Sequence, residues 1–475
     1  MVTPRDETIL RRLSVFMEQS GPESLPGDVV SSARQRVLDA LGICLAADAL
    51  GLGDGVWEIV SEWGGRAESS VVARSERFPA PQAALVNGTL AHSLDFDDTH
   101  LPSVLHPSAS VVPAVLAQAE ASGASGAQAL AAVAAGLEVC VRLGMGGYLP
   151  DAGNIFFEKG WHATSICGAI ASAAAGARLL GLDADGIGHA MGIASSMAGG
   201  LIESNRAGGT VKRLHCGWAA HAGLTAARLA RHGYTGPPTV FEGRFGFYNA
   251  YCDGRYDEEA ILGGLGERWE VPGIFFKPYP ANHYTHAGID AALTIRARHG
   301  VDPERITRIR LGGATSALRT IGEPREEKLR PQSGYHAQFS GPFTVAAALL
   351  GGGGLGLSFE DFTDERARDP RVLALAAKVE TYADPECDRI FPMQFPAALS
   401  VEMDDGAVFE QRVLVNRGGP GNPLSDQELR LKFEINAERA LSPGRVEELA
   451  AACDQLAEAA SVGPLLGLTR REGSP

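Results

Sequence analysis

Apolar residues recur at helical spacing through most of the first 270 residues, and almost no segment there alternates as a half-buried strand does. The stretch 28–50 illustrates the spacing i, i+4, i+7 and i+8 with Val37, Leu41, Cys44 and Leu45. Further helices are predicted at 80–93, 107–121, 126–144, 163–180, 186–198 and 217–232. These runs are rich in alanine, and the chain has 58 glycines among 475 residues. Small residues allow helices to approach closely, so the pattern predicts a large, tightly packed helical domain.

The pattern changes near residue 272, where polar and apolar residues begin to alternate. Strands are predicted at 305–311, 378–382, 399–403 and 408–415, with Asp404-Asp405-Gly406 as a turn. Helices are predicted between them at 286–299 and 338–350, and after the strands at 426–433 and 443–460. The fold class is therefore mainly α with α+β. The predicted domains are a helical domain (1–274), an inserted α+β lid (275–418) and a C-terminal helical part (419–475), with a disordered tail from residue 470.

Charge and cysteine content exclude several functional classes. The net charge of -15 and the pI near 5.3 argue against a nucleic-acid or anionic-membrane partner, although a local cationic pocket can still bind an acidic substrate. The seven cysteines include no CxxC pair, which predicts buried reduced thiols in a cytoplasmic protein. The N-terminal residues form no apolar signal segment, and charged residues interrupt the apolar runs, so no membrane span is expected.

Titratable residues concentrate between residues 91 and 108 of this apolar background. The segment contains three carboxylates and three histidines: Asp95, Asp97, Asp98, His92, His100 and His106. Charged groups near a core must be paired or used, so the cluster indicates metal binding, acid–base catalysis or a solvated loop. None of these residues has a recurrent metal-ligand spacing, and no metal is predicted.

Three other segments carry chemistry. His162 lies near the start of a predicted helix, where it is either a base or a hydrogen-bonded core residue. Lys212, Arg213 and His215 precede the helix predicted at 217–232, and they form either a carboxylate site or a solvated loop. Lys277 opens a rigid Pro-, Tyr- and His-containing junction between the two predicted domains, which is either a ligand site or a linker. Arg206 and Arg213 are candidates for a further cationic contact.

The glycine run at 351–356 formally matches GxGxxG. A dinucleotide-binding loop must follow a strand, whereas this run follows the predicted helix at 338–350. It is therefore interpreted as a loop that ends a helix.

Five segments, in order along nearly the whole chain, resemble the MmgE/PrpD family: 85–108, 160–173, 212–222, 277–291 and 337–348. The DFDDT…HPS and GWHATS motifs carry most of this resemblance. The family includes 2-methylcitrate dehydratase, cis-aconitate decarboxylase and iminodisuccinate epimerase. The resemblance implies a helical domain with an inserted lid, a homodimer, a small polycarboxylate substrate and no metal or organic cofactor.

The same resemblance assigns roles by position. His106 and His162 are the expected acid and base, Asp95 orients one of them, and Thr99 supports that network. Lys212 and Lys277 are expected to clamp substrate carboxylates. The remaining predicted substrate-binding residues are His215, Asn282, His283 and Phe343. Asn282 stands where the family has a histidine, with His283 adjacent, and Phe343 stands where several members have a tyrosine.

These residues favour a cofactor-independent lyase, with a hydro-lyase resembling 2-methylcitrate dehydratase as the leading hypothesis. An epimerase of an amino- or iminodicarboxylate and a cis-aconitate-type decarboxylase are the alternatives, because each also moves a proton at a carbon beside a carboxylate. A non-catalytic ligand-binding relative is the hypothesis from another class.

Overall fold

The computed structural model describes residues 8–204 and 209–471, which form two compact units. One unit runs to Ile274 and resumes at Phe433, and the other is Phe275–Lys432. Compactness alone does not make a unit an independent domain, so the domain boundaries given above stay predictions. Arg206 and residues 472–475 of the tail lie outside the described residues.

The first unit is helical, as its periodicity predicts. Its helices are Ile9–Gln19, Gly27–Ala49, Asp54–Trp63, Ala80–His92, Ser108–Ser122, Gly126–Gly146, Ile155–Glu158, Ala163–Leu179, Ala184–Met197, Val211–Arg231, Phe247–Cys252, Glu258–Leu262, Pro443–Asp454 and Gly463–Leu468. Two short antiparallel pairs accompany them, β1 (Ser69–Ser70) with β2 (Arg77–Phe78) and β3 (Tyr148–Leu149) with β4 (Gly153–Asn154). The mainly α fold class with an α+β part is confirmed, and all seven cysteines are buried free thiols.

Two glycines allow helices Ala80–His92 and Val211–Arg231 to approach each other closely. Gly88 of helix Ala80–His92 faces Gly217 of helix Val211–Arg231, and a Cβ at Gly88 would lie 2.8 Å from the Gly217 Cα. A Cβ at Gly217 would collide with the Leu85 carbonyl and the Thr89 side chain. Glycine costs helix stability of about 0.5–1 kcal/mol relative to alanine, so its presence in both helices reflects this contact. The prediction that small residues allow tight helix packing is confirmed here.

The structure corrects three sequence-based boundaries. Helix Val211–Arg231 begins six residues before the predicted start, so Lys212, Arg213 and His215 lie on the helix and not before it. Helix Pro443–Asp454 ends earlier than the predicted 460. The tail is ordered at Arg471, whose guanidinium lies 2.6 Å from the buried Asp48 carboxylate. At Lys212 and Arg471, contacts with the distant carboxylates of Asp95 and Asp48 outweigh the local composition.

The second unit is built on a four-stranded sheet of order β6-β5-β7-β8. The strands are β5 (Ile306–Gly313), β6 (Val379–Ala383), β7 (Ala397–Met403) and β8 (Val408–Val413). β5 pairs parallel with β6 and antiparallel with β7, and Val401 pairs with Phe409 across the predicted hairpin of β7 and β8. Helices His286–His299 and Gly341–Leu350 contribute to the core of this unit.

Shorter helices complete the second unit: Thr315–Ile321, Arg325–Leu329, Gly334–Ala337, Pro370–Ala376 and Pro385–Ile390. Helix Asp426–Ala437 begins in this unit and ends in the first. The glycine run begins at Gly351, which ends helix Gly341–Leu350 with a left-handed φ of 102°. Its interpretation as a helix-ending loop is confirmed.

Within the two described ranges, helix Gly126–Gly146 alone is long and apolar enough, by length and composition, to cross a membrane. However, 94% of its most apolar stretch is buried inside the fold, and core helices can have the same length and composition. It also contains a fully buried ion pair, in which Arg142 Nε lies 2.6 Å from Glu138 Oε1. Arg142 donates further hydrogen bonds to the Ile261 and Gly263 carbonyls. The helix is thus built into the core of the first unit.

Candidate active site

Four histidines from separate segments of the first unit form one cluster, here called the histidine cluster: His92, His106, His162 and His215. Three of them are buried, and His106 is partly buried. The ring centroids of His92 and His106 are 5.5 Å apart, and those of His92 and His162 are also 5.5 Å apart. His162 and His215 are closer, at 5.0 Å. His92 ends helix Ala80–His92, His162 directly precedes helix Ala163–Leu179, and His215 lies in the second turn of helix Val211–Arg231. The crossing at Gly88 and Gly217 brings the first and last of these segments together.

The carboxylates of the acidic segment are buried, so its interpretation as a solvated loop is wrong. Asp95, Asp97 and Asp98 are each at most 3% exposed, and each has a charged or titratable partner. Asp97 Oδ2 lies 2.7 Å from His92 Nδ1, and Asp98 Oδ2 lies 2.9 Å from Arg36 Nη1. These pairings offset the cost of removing the carboxylates from water.

Asp95 and Lys212 form an ion pair beside the histidine cluster. Lys212 Nζ lies 3.3 Å from Asp95 Oδ1, and both side chains are buried. Asp95 has a φ of 52°, a left-handed conformation that costs a non-glycine residue of order 1–3 kcal/mol. Burial of Lys212 also shows that the solvated-loop interpretation of its segment is wrong. The lysine provides a cation in a site from which water is largely excluded.

His106 is held in one tautomer. Its Nδ1 lies 2.7 Å from the Asp98 backbone carbonyl, which can only accept a hydrogen bond, so Nδ1 carries the proton. Thr99 Oγ1 lies 3.3 Å from the same nitrogen. The His106 backbone N–H donates to Thr164 Oγ1 at 3.2 Å. In the neutral ring, Nε2 is therefore the unprotonated nitrogen, which suits a general base.

His162 and His215 contact each other directly, with their Nδ1 atoms 2.9 Å apart. Burial is the largest influence that lowers the pKa of His162 well below its usual range, followed by the nearby His92, Lys212, His215 and His106. Burial, then His92 and Lys212, lowers the pKa of His215 to about 4. Both rings are thus neutral near pH 7.

These pKa shifts predict an acid-sensitive fold. The unfolded chain binds a proton at each of these histidines near pH 6.5, whereas the folded chain resists protonation of His215 until about pH 4. The free energy of unfolding should therefore fall as the pH drops from about 6.5 to about 4. Urea unfolding midpoints across this range should fall less steeply in His215→Phe than in the wild type. Parallel pH profiles for the two proteins would contradict the prediction.

The structure brings together six residues that the sequence indicated: Asp95, Thr99, His106, His162, Lys212 and His215. Their catalytic and binding roles stay predictions. Sequence reasoning placed His92 and Asp98 in the titratable cluster but gave neither a role, and it did not single out Arg36. The spacing of His92 and Asp97 within one short segment was a usable signal. A second usable signal was Arg36, which lies next to Val37 of an apolar helical stripe. A charge at such a position needs a buried partner.

The other four predicted site residues lie in the second unit. Lys277 is fully buried, and Asn282 Oδ1 accepts a hydrogen bond from the Tyr284 backbone N–H at 3.1 Å. His283 is buried, with its ring centroid 4.7 Å from that of His286. Phe343 is fully buried in the core of this unit. Their part in substrate binding stays a prediction.

No three metal-ligating side chains converge at a geometry that could hold a metal ion within residues 8–204 and 209–471. The Nδ1 atoms of the histidine cluster contact carbonyl, carboxylate and imidazole groups. Such contacts allow imidazole rings to bind and pass protons.

Two family models together match most of this chain. The family model of the MmgE/PrpD N-terminal domain matches residues 11–259, and that of the MmgE/PrpD C-terminal domain matches residues 279–457. The chain belongs to the MmgE/PrpD family. The resemblance found from the DFDDT and GWHATS motifs is thereby confirmed.

This MmgE/PrpD chain is similar to curated lyases of two kinds. It is 32% identical to the cis-aconitate decarboxylase of Homo sapiens, over 89% of this chain and 86% of the relative. It is 27% identical to the cis-aconitate decarboxylase of Aspergillus terreus, over 94% and 92%. It is 28% identical to the 2-methylcitrate dehydratase of Cupriavidus necator, over 79% and 78%.

Proposed function

We propose that this chain is a lyase that acts on a small di- or tricarboxylate with its own side chains and without a cofactor. The observation that carries the proposal is the histidine cluster, three of whose four rings are buried, beside the Lys212 cation. In this cluster, His106 offers an unprotonated Nε2 in its neutral form. General acid–base groups placed in this way contribute roughly 10²–10⁴-fold to a rate.

Loss of a proton or of CO2 from a carbon beside a carboxylate builds negative charge on the substrate. Lys212 is 6% exposed, so its charge acts across a medium of lower dielectric than water. Asp95 holds the Lys212 ammonium group in place through their ion pair. The same cation binds the substrate carboxylate and offsets the charge that develops during the reaction.

Decarboxylation of a cis-aconitate-like tricarboxylate is our first candidate reaction. Similarity to cis-aconitate decarboxylases extends over 89–94% of this chain, a larger share than the 79% covered by the 2-methylcitrate dehydratase. In this reaction, CO2 leaves, the electron pair stays on the substrate, and a histidine N–H delivers a proton to carbon. The motifs alone had favoured dehydration over decarboxylation, and this ranking is now reversed.

Dehydration of a 2-methylcitrate-like hydroxy acid is the second candidate. It requires a base for the carbon-bound proton and an acid for the departing hydroxyl. His106 supplies an unprotonated Nε2, and the neighbouring pair of His162 and His215 supplies a protonated nitrogen. The similarity to 2-methylcitrate dehydratases supports this alternative.

Proton NMR in D2O tests the proposal with cis-aconitate, 2-methylcitrate, citrate and iminodisuccinate as separate substrates. We expect cis-aconitate to be converted into a five-carbon unsaturated dicarboxylate that carries one solvent deuteron on carbon. Conversion of 2-methylcitrate into an alkene would favour the dehydratase instead. Deuterium exchange into iminodisuccinate without loss of water or CO2 would contradict a lyase and favour an epimerase.

Two lysine variants give this experiment a matched control. Lys212→Met should lose turnover, because it removes the cation while keeping a similar side-chain length. Lys159→Met removes a lysine whose ion pair with Asp253 is at the surface, and it should react like the wild type. Equal turnover in Lys212→Met and Lys159→Met would show that the reaction does not depend on the Lys212 cation.

A further inference from the structure

The contact between His162 and His215 limits which of their ring nitrogens can carry a proton. Their Nδ1 atoms are 2.9 Å apart, and both side chains are buried, at 2% and 7% exposure. A hydrogen bond between two imidazole nitrogens requires one nitrogen to donate and the other to accept. Only one of the two Nδ1 atoms can therefore carry a proton in this arrangement.

Each neutral imidazole carries one proton on its two nitrogens. The ring that donates from Nδ1 therefore has an unprotonated Nε2, and the ring that accepts at Nδ1 must carry its proton on Nε2. The two rings are forced into opposite tautomers. The pair always presents one basic Nε2 and one acidic Nε2–H.

The groups around the pair favour this neutral state over an imidazolium. Lys212 lies on the same helix as His215. His92 faces the pair from helix Ala80–His92, and His106 faces it from the segment that precedes helix Ser108–Ser122. The nearby Asp95 carboxylate is paired with Lys212. Burial is the largest influence that lowers the pKa of both rings, followed by His92 and then by Lys212.

We propose that His162 and His215 act as one tautomer-coupled pair, in which His162 exchanges a proton with the substrate and His215 is the positioning residue that sets the tautomer of His162. This inference rests on the proposed lyase function and deepens it. In the productive state for decarboxylation, His215 donates from Nδ1 and His162 holds its proton on Nε2.

The proton transfers of the proposed step balance. His162 gives its Nε2 proton to the substrate carbon that CO2 has left, and the shared proton moves from His215 Nδ1 to His162 Nδ1. His215 takes a proton from water at Nε2, so both rings end neutral with their tautomers exchanged. The reverse transfers, with a solvent proton entering at His162 Nε2, restore the first state.

Side-chain 15N NMR of the ligand-free protein tests the coupling without any substrate. In protein labelled with 15N-histidine, we expect His162 and His215 to show opposite tautomers near neutral pH. The resonances are assigned with single His162→Asn and His215→Phe variants. His215→Phe should change the 15N shifts of His162 towards a different tautomer balance. Equal tautomers in the two rings, or unchanged His162 shifts in His215→Phe, would overturn the proposal.

Kinetics with the substrate found in the NMR panel give the second measurement. His215→Phe should lower kcat by roughly 10²-fold or more, within the range for loss of acid–base catalysis, without a comparable change in KM. His215→Asn places an amide near the lost Nδ1 and should recover about tenfold of that loss, as expected of a hydrogen-bonding partner. Wild-type kcat in His215→Phe would contradict the proposal.

His221→Phe is the matched control, because His221 lies on the same helix and its ring contacts Trp218 and the Pro81 carbonyl, outside the histidine cluster. It should leave both kcat and the His162 shifts unchanged. If the 15N data show opposite tautomers but no substrate reacts, the proposed function fails and the coupled pair stands. If a substrate reacts while both rings share one tautomer, the pair fails and the lyase stands.

Discussion

Replacing His162 with asparagine is expected to lower turnover by roughly 10²–10⁴-fold, the range for losing a general acid or base. His162 is the N-cap residue of helix Ala163–Leu179, yet its side chain makes no capping hydrogen bond. Asparagine is among the preferred N-cap residues, so the variant removes the imidazole while keeping a good start to the helix. The loss should therefore appear in kcat at an unchanged urea unfolding midpoint.

The appropriate control is His189→Asn, which makes the same substitution within helix Ala184–Met197, away from the histidine cluster. Steady-state kinetics and urea unfolding of both variants separate chemistry from stability. Wild-type turnover in His162→Asn, with the fold intact, would show that the reaction does not use this histidine.

Replacing Arg36 with methionine is expected to destabilise the fold by about 3–5 kcal/mol, the usual cost of removing one partner of a buried ion pair. Arg36 and Asp98 are each 1% exposed, and Arg36 Nη2 also donates to the Ile274 carbonyl at 2.6 Å. Without the guanidinium, the Asp98 carboxylate keeps the Ser108 N–H and hydroxyl as donors but loses its counter-charge. A negative charge would then be buried beside the site.

A double-mutant cycle with Asp98→Asn measures this coupling. Arg36→Met/Asp98→Asn should be more stable than Arg36→Met alone, because no uncompensated charge remains in the core. The free energies of unfolding come from urea titrations of all four proteins. A cost below about 1 kcal/mol for Arg36→Met would mean that the pair resembles an exposed ion pair.

The sequence predicted eight helices of the first unit and the four strands of the second-unit sheet to within a few residues at most ends, because their apolar periodicity reflects the packing that stabilises them. It did not predict six mostly shorter helices: Ile9–Gln19, Asp54–Trp63, Ile155–Glu158, Phe247–Cys252, Glu258–Leu262 and Gly463–Leu468. It failed at the start of helix Val211–Arg231, where a run of cations resembles a loop. Burial of Lys212 and His215 against distant groups extends the helix there. Such pairings join residues far apart in the chain and leave no local pattern.

Residue types likewise indicated the chemistry of the site, but not which side chains form hydrogen bonds and ion pairs with one another. Asp98 could be recognised as an unusual carboxylate in an apolar segment. Its two functions, pairing with Arg36 and holding His106 through its backbone carbonyl, depend on contacts that only the folded chain makes. The same is true of the contact between His162 and His215, which lie 53 positions apart.

The glycine crossing between helices Ala80–His92 and Val211–Arg231 affects how genetic variants of this protein should be interpreted. Even one methyl group at Gly88 or Gly217 would push the two helices apart, and with them the ends that carry His92 and His215. A substitution there could abolish activity although neither position bears a reactive group. Intolerance to mutation at these glycines would therefore reflect the required distance between the two helices. A search for catalytic residues by mutational sensitivity alone would wrongly identify these glycines as catalytic.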